Sequence, residues 1–504
     1  MSMALDTGNR ATSRCSDTQV KTMNNRLHNI DMKQLIRLAL AITILFACSS
    51  AQAEITEIEV RDNGYLGTYN DYEYHWVDAY MHGRVERKDG TTGTYKVPVN
   101  LVYPVNKPPR AGFVDLINSA SFSMYLEGEA PEGRRVVYRL GEVILADYLR
   151  MQGYSYLALQ WSKMVTHIKG EKYGFIEDGR DGYEIINDAA RYLKAPVAFN
   201  DSELTAPSPS EKVISFGFSQ TAKLQYSMVA AGLNREPDGS IIYDGMLAGA
   251  IGAGRTCMVL NNSYELPPND SLPWPQNPGF NTWDIPCRQN LPADTKYVAL
   301  MTQSDVIFYG GYLDRQNGSH YRQYELAGIS HIPPDNIDFR LHGSDRQNPN
   351  SLKPAFRAVM NSLEQWVLND VEPPPSRYID VDTSDTDNVK YAVDADGNVL
   401  GGVRYPHMQR QSGNTSMGAP LGVYSGIDTN MGIFFGGKGF SHLGGTFESF
   451  TADELKTRYT SAEDYVKRVE GSLDALIDER FLLPDDKHVY TNEARLVGER
   501  LFQP

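Results

Sequence analysis

The stretch that most limits what this chain can fold into runs from Glu211 to Gly232, EKVISFGFSQTAKLQYSMVAAG. Val213-Ile214-Ser215-Phe216 is a short β-prone run that stops at Gly217, and from Ser219 the pattern turns helical, with Leu224, Met228 and Val229 at helical spacing. A strand turning sharply into a helix with serine at the apex explains the residues between. Gly217 lets the backbone pass close to the apex. Ser219 is held in a strained conformation with its hydroxyl pointing outward. The N–H of Gln220 opens the helix, where unpaired donors and the positive dipole end favour a developing oxyanion. A second glycine is usual in such a turn, and Thr221 stands in its place, so the motif reads GxSxT. Taken alone, the same five residues also describe a serine N-cap on an ordinary helix.

The surrounding chain supplies more strand ends. Residues 54–104 alternate in strand fashion, with Asn63-Gly64 and Asp89-Gly90 reading as turns. Tyr72, Tyr74, Trp76 and Tyr80 read as one face of that sheet rather than as a sugar-stacking platform. Ala111–Ile117 is a buried-type strand, Arg139–Gln152 an amphipathic helix closed by Gly153, and Tyr156–Gln160 another strand. Helix 182–194 leads through a polar loop to the serine turn. This alternation predicts a right-handed parallel α/β build. Beyond it come a strand at Ile241–Ala248, a Pro- and Asn-rich irregular insertion at 255–288 of the kind used as an active-site lid, strands at Lys296–Met301 and Tyr321–Ala327, and a helix from Pro354 to Leu368. Thr451 and Glu454 form a capping box, and Ala462–Ile477 is a helix with Tyr465, Val466, Val469 and Leu473 inward.

A serine hydroxyl is a poor nucleophile until an imidazole takes its proton, and the imidazole needs a carboxylate to fix its tautomer. Asp305 lies just past one predicted strand and His331 just past the next, at the edge where Ser219 emerges. His320, His342 and His407 compete for the base, and Asp314 for the acid.

The order Ser219, Asp305, His331 is that of α/β-hydrolases. GFSQT at 217–221, YDGMLAG at 243–249, ELAGISH at 325–331, GGVRYPH at 401–407 and the tail TRYTSAEDYVKRVEGSLDALIDERFLLPDD at 457–486 resemble a secreted branch of that superfamily, the alpha/beta hydrolase domain family. The resemblance spans nearly all of 54–504. It implies an α/β-hydrolase fold: a mostly parallel sheet with flanking helices, an N-terminal β extension, a lid insertion and a C-terminal helical extension. It implies Ser219 as nucleophile, Gln220 as oxyanion contributor and His331 as base, with Asp305 the acid left where family members often carry a longer acidic cluster. The loop after the Ala111 strand would supply the second oxyanion N–H, at Ser119. There the chain has Asn118-Ser119-Ala120 instead of an arginine-glycine pair after the asparagine.

Charge and cysteine usage bound the setting. The net charge is −15, and the first 53 residues hold six Lys/Arg against three Asp/Glu, leaving 42 basic and 60 acidic residues, hence −18, in the remainder. Such a surface repels nucleic acid and anionic membranes. Met32–Ala53 reads as a secretory signal with a basic start, an apolar run from Leu38 to Ala47, and Ala51-Gln52-Ala53 before Glu54. The apolar run is too short for a comfortable transmembrane helix. An alternative uses Leu45-Phe46-Ala47-Cys48 as a lipoprotein box. After cleavage Cys257 and Cys287 remain, and in an oxidising compartment they can pair as a disulfide at the base of the lid. No CxxC or zinc-type cluster occurs, so neither a metal nor another cofactor is called for.

The chain therefore divides into a leader at 1–53 (signal 32–53), an N-terminal β region at 54–110, a catalytic core at 111–375 with a lid at 255–288, and an extension at 376–504 packed on the core. The expected activity is that of an exported, periplasmic or secreted, serine hydrolase. Its substrate would be a small-molecule or polymer-derived carboxylic ester, with no nucleic-acid partner and no stable membrane insertion after cleavage. Amidase or lactonase chemistry would use the same triad, and a non-catalytic binding protein on this scaffold is the rival class.

Overall fold

The computed structural model describes residues 53–87, 90–116, 126–129, 135–138, 140–161, 175–251, 256–260, 282–286, 291, 294–316, 318–331, 350–385, 388–406, 418–427 and 445–502. Three long antiparallel strands open the fold: β1 (Ala53–Tyr69), β2 (Tyr72–Glu86) and β3 (Thr92–Pro104). The first turn falls at Asn70-Asp71, where both residues have positive φ (44° and 64°). That is the backbone of a tight hairpin whose twist matches its strands. The turn expected at Asn63-Gly64 is absent, because Asn63 and Gly64 lie inside the ladder opposite Val77 and Trp76. Gly90 has φ 81° as a turn residue, while Asp89 lies outside the described residues. Tyr74 is fully buried, and its hydroxyl donates to the carbonyls of Arg150 and Tyr154. The sheet-face reading of these aromatics therefore holds for it.

The parallel core follows as β4 (Gly112–Leu116), α1 (Leu140–Gln152), β5 (Ser155–Leu159), α2 (Gly182–Lys194), β6 (Val213–Phe218), α3 (Gln220–Ala230), β7 (Gly245–Gly249), β8 (Lys296–Thr302), α4 (Gln303–Phe308), β9 (Tyr321–Leu326) and α5 (Lys353–Asn369). The sheet runs β1-β2-β3-β5-β4-β6-β7-β8-β9, with the short strand Phe175–Ile176 beside β3. From β5 onward neighbouring strands are parallel. Every residue of β4, β5, β6 and β7 is buried, as helices on both faces require. Ile185, Ile186 and Leu224 from α2 and α3 pack into one core. Ile144, Leu145, Phe356 and Leu363 from α1 and α5 pack into the other.

The strand expected from Ile241 starts only at Gly245. Its lead-in makes only isolated main-chain bonds, such as the Asp244 N–H to the Val213 carbonyl, and side chains add the rest: Asn234 brackets Tyr243 through both main-chain groups, and the Asp244 carboxylate accepts the Val213 N–H and the Lys212 ammonium. The insertion expected to be irregular contains an antiparallel pair, Thr256–Leu260 with Thr282–Pro286. Cys257 stands opposite Ile285, and Cys287 and residues 261–281 lie outside the described residues.

The C-terminal region continues the same packing. Val403 bridges Leu326 in parallel, extending the sheet beyond β9. Gly401 and Gly402 take positive φ there, and a Cβ on either would come within 2.5 Å of the Tyr378 or Glu325 carbonyl oxygen. Helices α6 (Ala452–Arg458) and α7 (Ala462–Asp478) follow, the first with both bonds of the Thr451–Glu454 capping box. Tyr465, Val469 and Leu473 of α7 are buried in the second core. A last helix, α8 (Lys487–Leu501), was not evident in the sequence. It lays Tyr490, Ala494, Val497 and Leu501, at helical spacing, against the second core and leaves Val489 and Leu496 exposed. Among the described residues no helix is long and apolar enough to cross a membrane, and no acidic, histidine or cysteine group has metal-ligand spacing.

Candidate active site

The strands β6, β8 and β9 all end at one edge of the sheet, and each end carries one of the polar residues singled out above. At the end of β6, Ser219 adopts φ 55°, ψ −115°, a conformation rare for a residue with a side chain. The neighbouring chemistry holds it there. The Ser219 N–H donates to the Gly249 carbonyl at 2.8 Å, tying the turn to β7. A Cβ on Gly217 would lie 2.6 Å from the Thr221 carbonyl oxygen, so the close approach of strand to helix requires glycine at 217. Thr221, in place of a second glycine, braces the turn: its hydroxyl accepts the Phe218 N–H at 2.8 Å and donates to the Phe218 carbonyl at 3.0 Å. Gln220 is the first residue of α3, so its N–H stands at the positive end of the helix.

Asp305 sits in the first turn of α4, directly after β8. Its Oδ2 accepts the Thr302 N–H (2.8 Å) and the Thr302 hydroxyl (2.7 Å), a reciprocal capping box. Its Oδ1 lies 2.6 Å from His331 Nδ1. One carboxylate thus caps the helix and orients the imidazole. On the far side of the ring, His331 Nε2 lies 3.0 Å from Ser219 Oγ. The ring is packed between Phe218 and Tyr309, with centroid separations of 5.4 and 5.7 Å. Asp305 and His331 are buried and Ser219 is partly open.

Beneath this loop Glu325 is fully buried, with both carboxylate oxygens on Arg315 (2.9 and 2.7 Å) and a bond from the Ile379 N–H. Burial pushes its carboxyl above the usual range, against the opposing pull of Arg315. The pair anchors the strand that leads to His331.

The competing residues lie elsewhere. His320 precedes β9 and its carbonyl accepts the Tyr297 N–H, so it stands at the opposite edge of the sheet, bonded to Ser319 and stacked on Trp366. Asp314 is buried where its charge acts on Tyr297 and Tyr321, at the starts of β8 and β9. His342, His407 and Ser119 lie outside the described residues. Sequence reasoning missed Thr302, Gln303 and Ser304. Thr302 had a readable signal, since Thr-Gln-Ser-Asp is a capping-box spelling. The other two had none.

A doubly covered parallel sheet that turns into a helix at a strained serine, with carboxylate and imidazole arriving from the next strand ends, is the architecture of an α/β-hydrolase. The chain belongs to the alpha/beta hydrolase domain family, whose model matches residues 144–492. No curated protein matches the sequence. Among solved structures, a hyperthermophilic esterase from the archaeon Pyrobaculum calidifontis aligns at 11% identity and TM-score 0.32, over 70% of this chain and 99% of that one. An arylesterase aligns at 9% identity and TM-score 0.27, over 61% and 88%. The esterase domain of a Rhodothermus marinus protein aligns at 13% identity and TM-score 0.26, over 51% and 92%.

Proposed function

We propose that this α/β-hydrolase is a serine hydrolase that cleaves carboxylic esters through an acyl-enzyme. The observation that carries the reading is the unbroken line of contacts from Ser219 Oγ through both nitrogens of His331 to Asp305. With Asp305 accepting from Nδ1–H, the neutral imidazole keeps its lone pair on Nε2, facing the serine hydroxyl. His331 takes the Ser219 proton as Oγ attacks the ester carbonyl. The resulting oxyanion is met by the Gln220 N–H, with a second donor from the loop at Ser119. The imidazolium then protonates the departing alkoxide. A water activated by the same imidazole attacks the acyl-enzyme and releases the acid, restoring Ser219. Apart from that water, the proposed steps use only side chains and main-chain groups of the protein.

A graded panel of p-nitrophenyl esters tests this reading. Turnover by the wild type and its loss in Ser219→Ala support it, and no turnover of any ester favours a binding protein on the same scaffold. We further propose export with cleavage after Ala53 and a Cys257–Cys287 disulfide. N-terminal sequencing that finds Glu54, and non-reducing peptide mapping that recovers the paired cysteines, check the two.

A further inference from the structure

The histidine loop is gripped by two residues outside the triad, and both also grip the C-terminal region. Ser304 Oγ accepts the His331 N–H at 2.8 Å and donates to the Gly426 carbonyl at 2.9 Å, across 122 positions of sequence. Gln303 Oε1 accepts the N–H of Gly328 at 2.8 Å and that of Gly426 at 3.2 Å. The Gln303 N–H donates to the Ile329 carbonyl, and its own carbonyl accepts the Tyr391 hydroxyl. Gly426 is wedged into this junction: a Cβ there would lie 2.5 Å from the Ile329 carbonyl oxygen and 2.6 Å from Gln303 Cβ. Gln303 and Ser304 are buried.

We propose that Gly426, acting through Gln303 and Ser304, sets the position of His331 between Ser219 and Asp305. The C-terminal region is then part of the catalytic scaffold, and these three are positioning residues. The proposal rests on the Ser219–His331–Asp305 reading. A serine hydroxyl has one proton. Donating it to the Gly426 carbonyl fixes the hydroxyl rotor, which leaves a lone pair aimed at the His331 N–H. Thr302 Oγ1 lies 3.3 Å from Ser304 Oγ, so without the Gly426 carbonyl the proton can swing to it and the loop loses its anchor on the C-terminal region. The Gln303 amide oxygen uses its two lone pairs in the same way, holding the loop and the C-terminal segment to one point. Both grips act at the start of α4, the helix that carries Asp305, so carboxylate and imidazole are referred to one rigid element. Displacement of a reacting group by about 1 Å costs on the order of 100-fold in rate.

The test is steady-state ester hydrolysis by the full chain between about pH 5 and 9, where a histidine base titrates. Asp305 from α4 and the Tyr309 phenol from the turn after it face His331. Ser304→Ala and Gly426→Ala are expected to lower kcat by about 10- to 100-fold with KM held within about twofold. The acidic limb of kcat/KM should move to lower pH, because an imidazole less well seated on Asp305 is less easily protonated. Ser304→Thr, which keeps the hydroxyl, should restore the limb and most of kcat. Should Gly426→Ala fail to fold, Ser304→Ala decides, since it removes one oxygen and adds no bulk. Folded variants with wild-type kcat and limb, or a change confined to KM, overturn the proposal while the functional reading stands. A wild type that turns over no ester overturns both.

Discussion

His331 Nδ1 meets Asp305 Oδ1 at 2.6 Å, while the other oxygen of the same carboxylate is bound by the N–H and hydroxyl of Thr302. The Asp305 carboxylate is therefore fixed by the helix it caps. Most of its orientation comes from a local sequence device, Thr-x-x-Asp, placed at the end of a buried strand.

Asp305→Asn should preserve the fold and lower turnover by roughly 10⁴-fold, because the amide favours the wrong imidazole tautomer. Asp314→Asn, at the opposite edge of the sheet, should leave kcat near wild type. Steady-state kinetics on both variants, with circular dichroism to show folding, decides between the two acids. Near-wild-type activity in Asp305→Asn would move the acid elsewhere.

Thr221→Val removes the hydroxyl that closes on both main-chain groups of Phe218, with the loss of two buried hydrogen bonds. The expected loss is about 1–3 kcal/mol of stability. Thr221→Ser should recover most of it. Urea denaturation of the three proteins measures the difference, and equal midpoints would show that the brace contributes nothing.

Several features of fold and site were legible because they are local. The serine turn is spelled by an apolar run, a glycine and a change of period. The ends of β8 and β9 were readable for the same reason, and they mark Asp305 and His331. The turn at Asn70-Asp71 was missed because Asn63-Gly64 carries the stronger hairpin spelling, yet the ladder runs straight through it. Helix α8 is hard to read because its apolar stripe, Tyr490, Ala494, Val497 and Leu501, is blurred by Val489 and Leu496 on the exposed side. Gln303, Ser304 and Gly426 meet across more than a hundred positions through one hydroxyl, one amide and a missing side chain, which no periodicity records.

Asp188 gives the fold a pH dependence of known sign. Burial pushes its carboxyl from 3.8 up to about 6, despite bonds from the Tyr95 hydroxyl (2.5 Å) and Arg191 (2.9 Å). The folded value exceeds the unfolded one, so its contribution is fully present below the unfolded value of 3.8 and is lost as the pH rises through about 6. The size is on the order of 1–3 kcal/mol. Melting temperatures of wild type and Asp188→Asn across this range should converge on a constant difference above it. A difference independent of pH throughout would contradict the shift.

The proposed function stands or falls with Ser219 as a nucleophile activated by His331. A fluorophosphonate probe, followed by peptide mapping, measures this directly. Irreversible labelling of Ser219 at one site per chain is expected, with parallel loss of esterase activity and strong suppression of labelling in His331→Ala. Folded wild-type protein that resists the probe at Ser219 would contradict it.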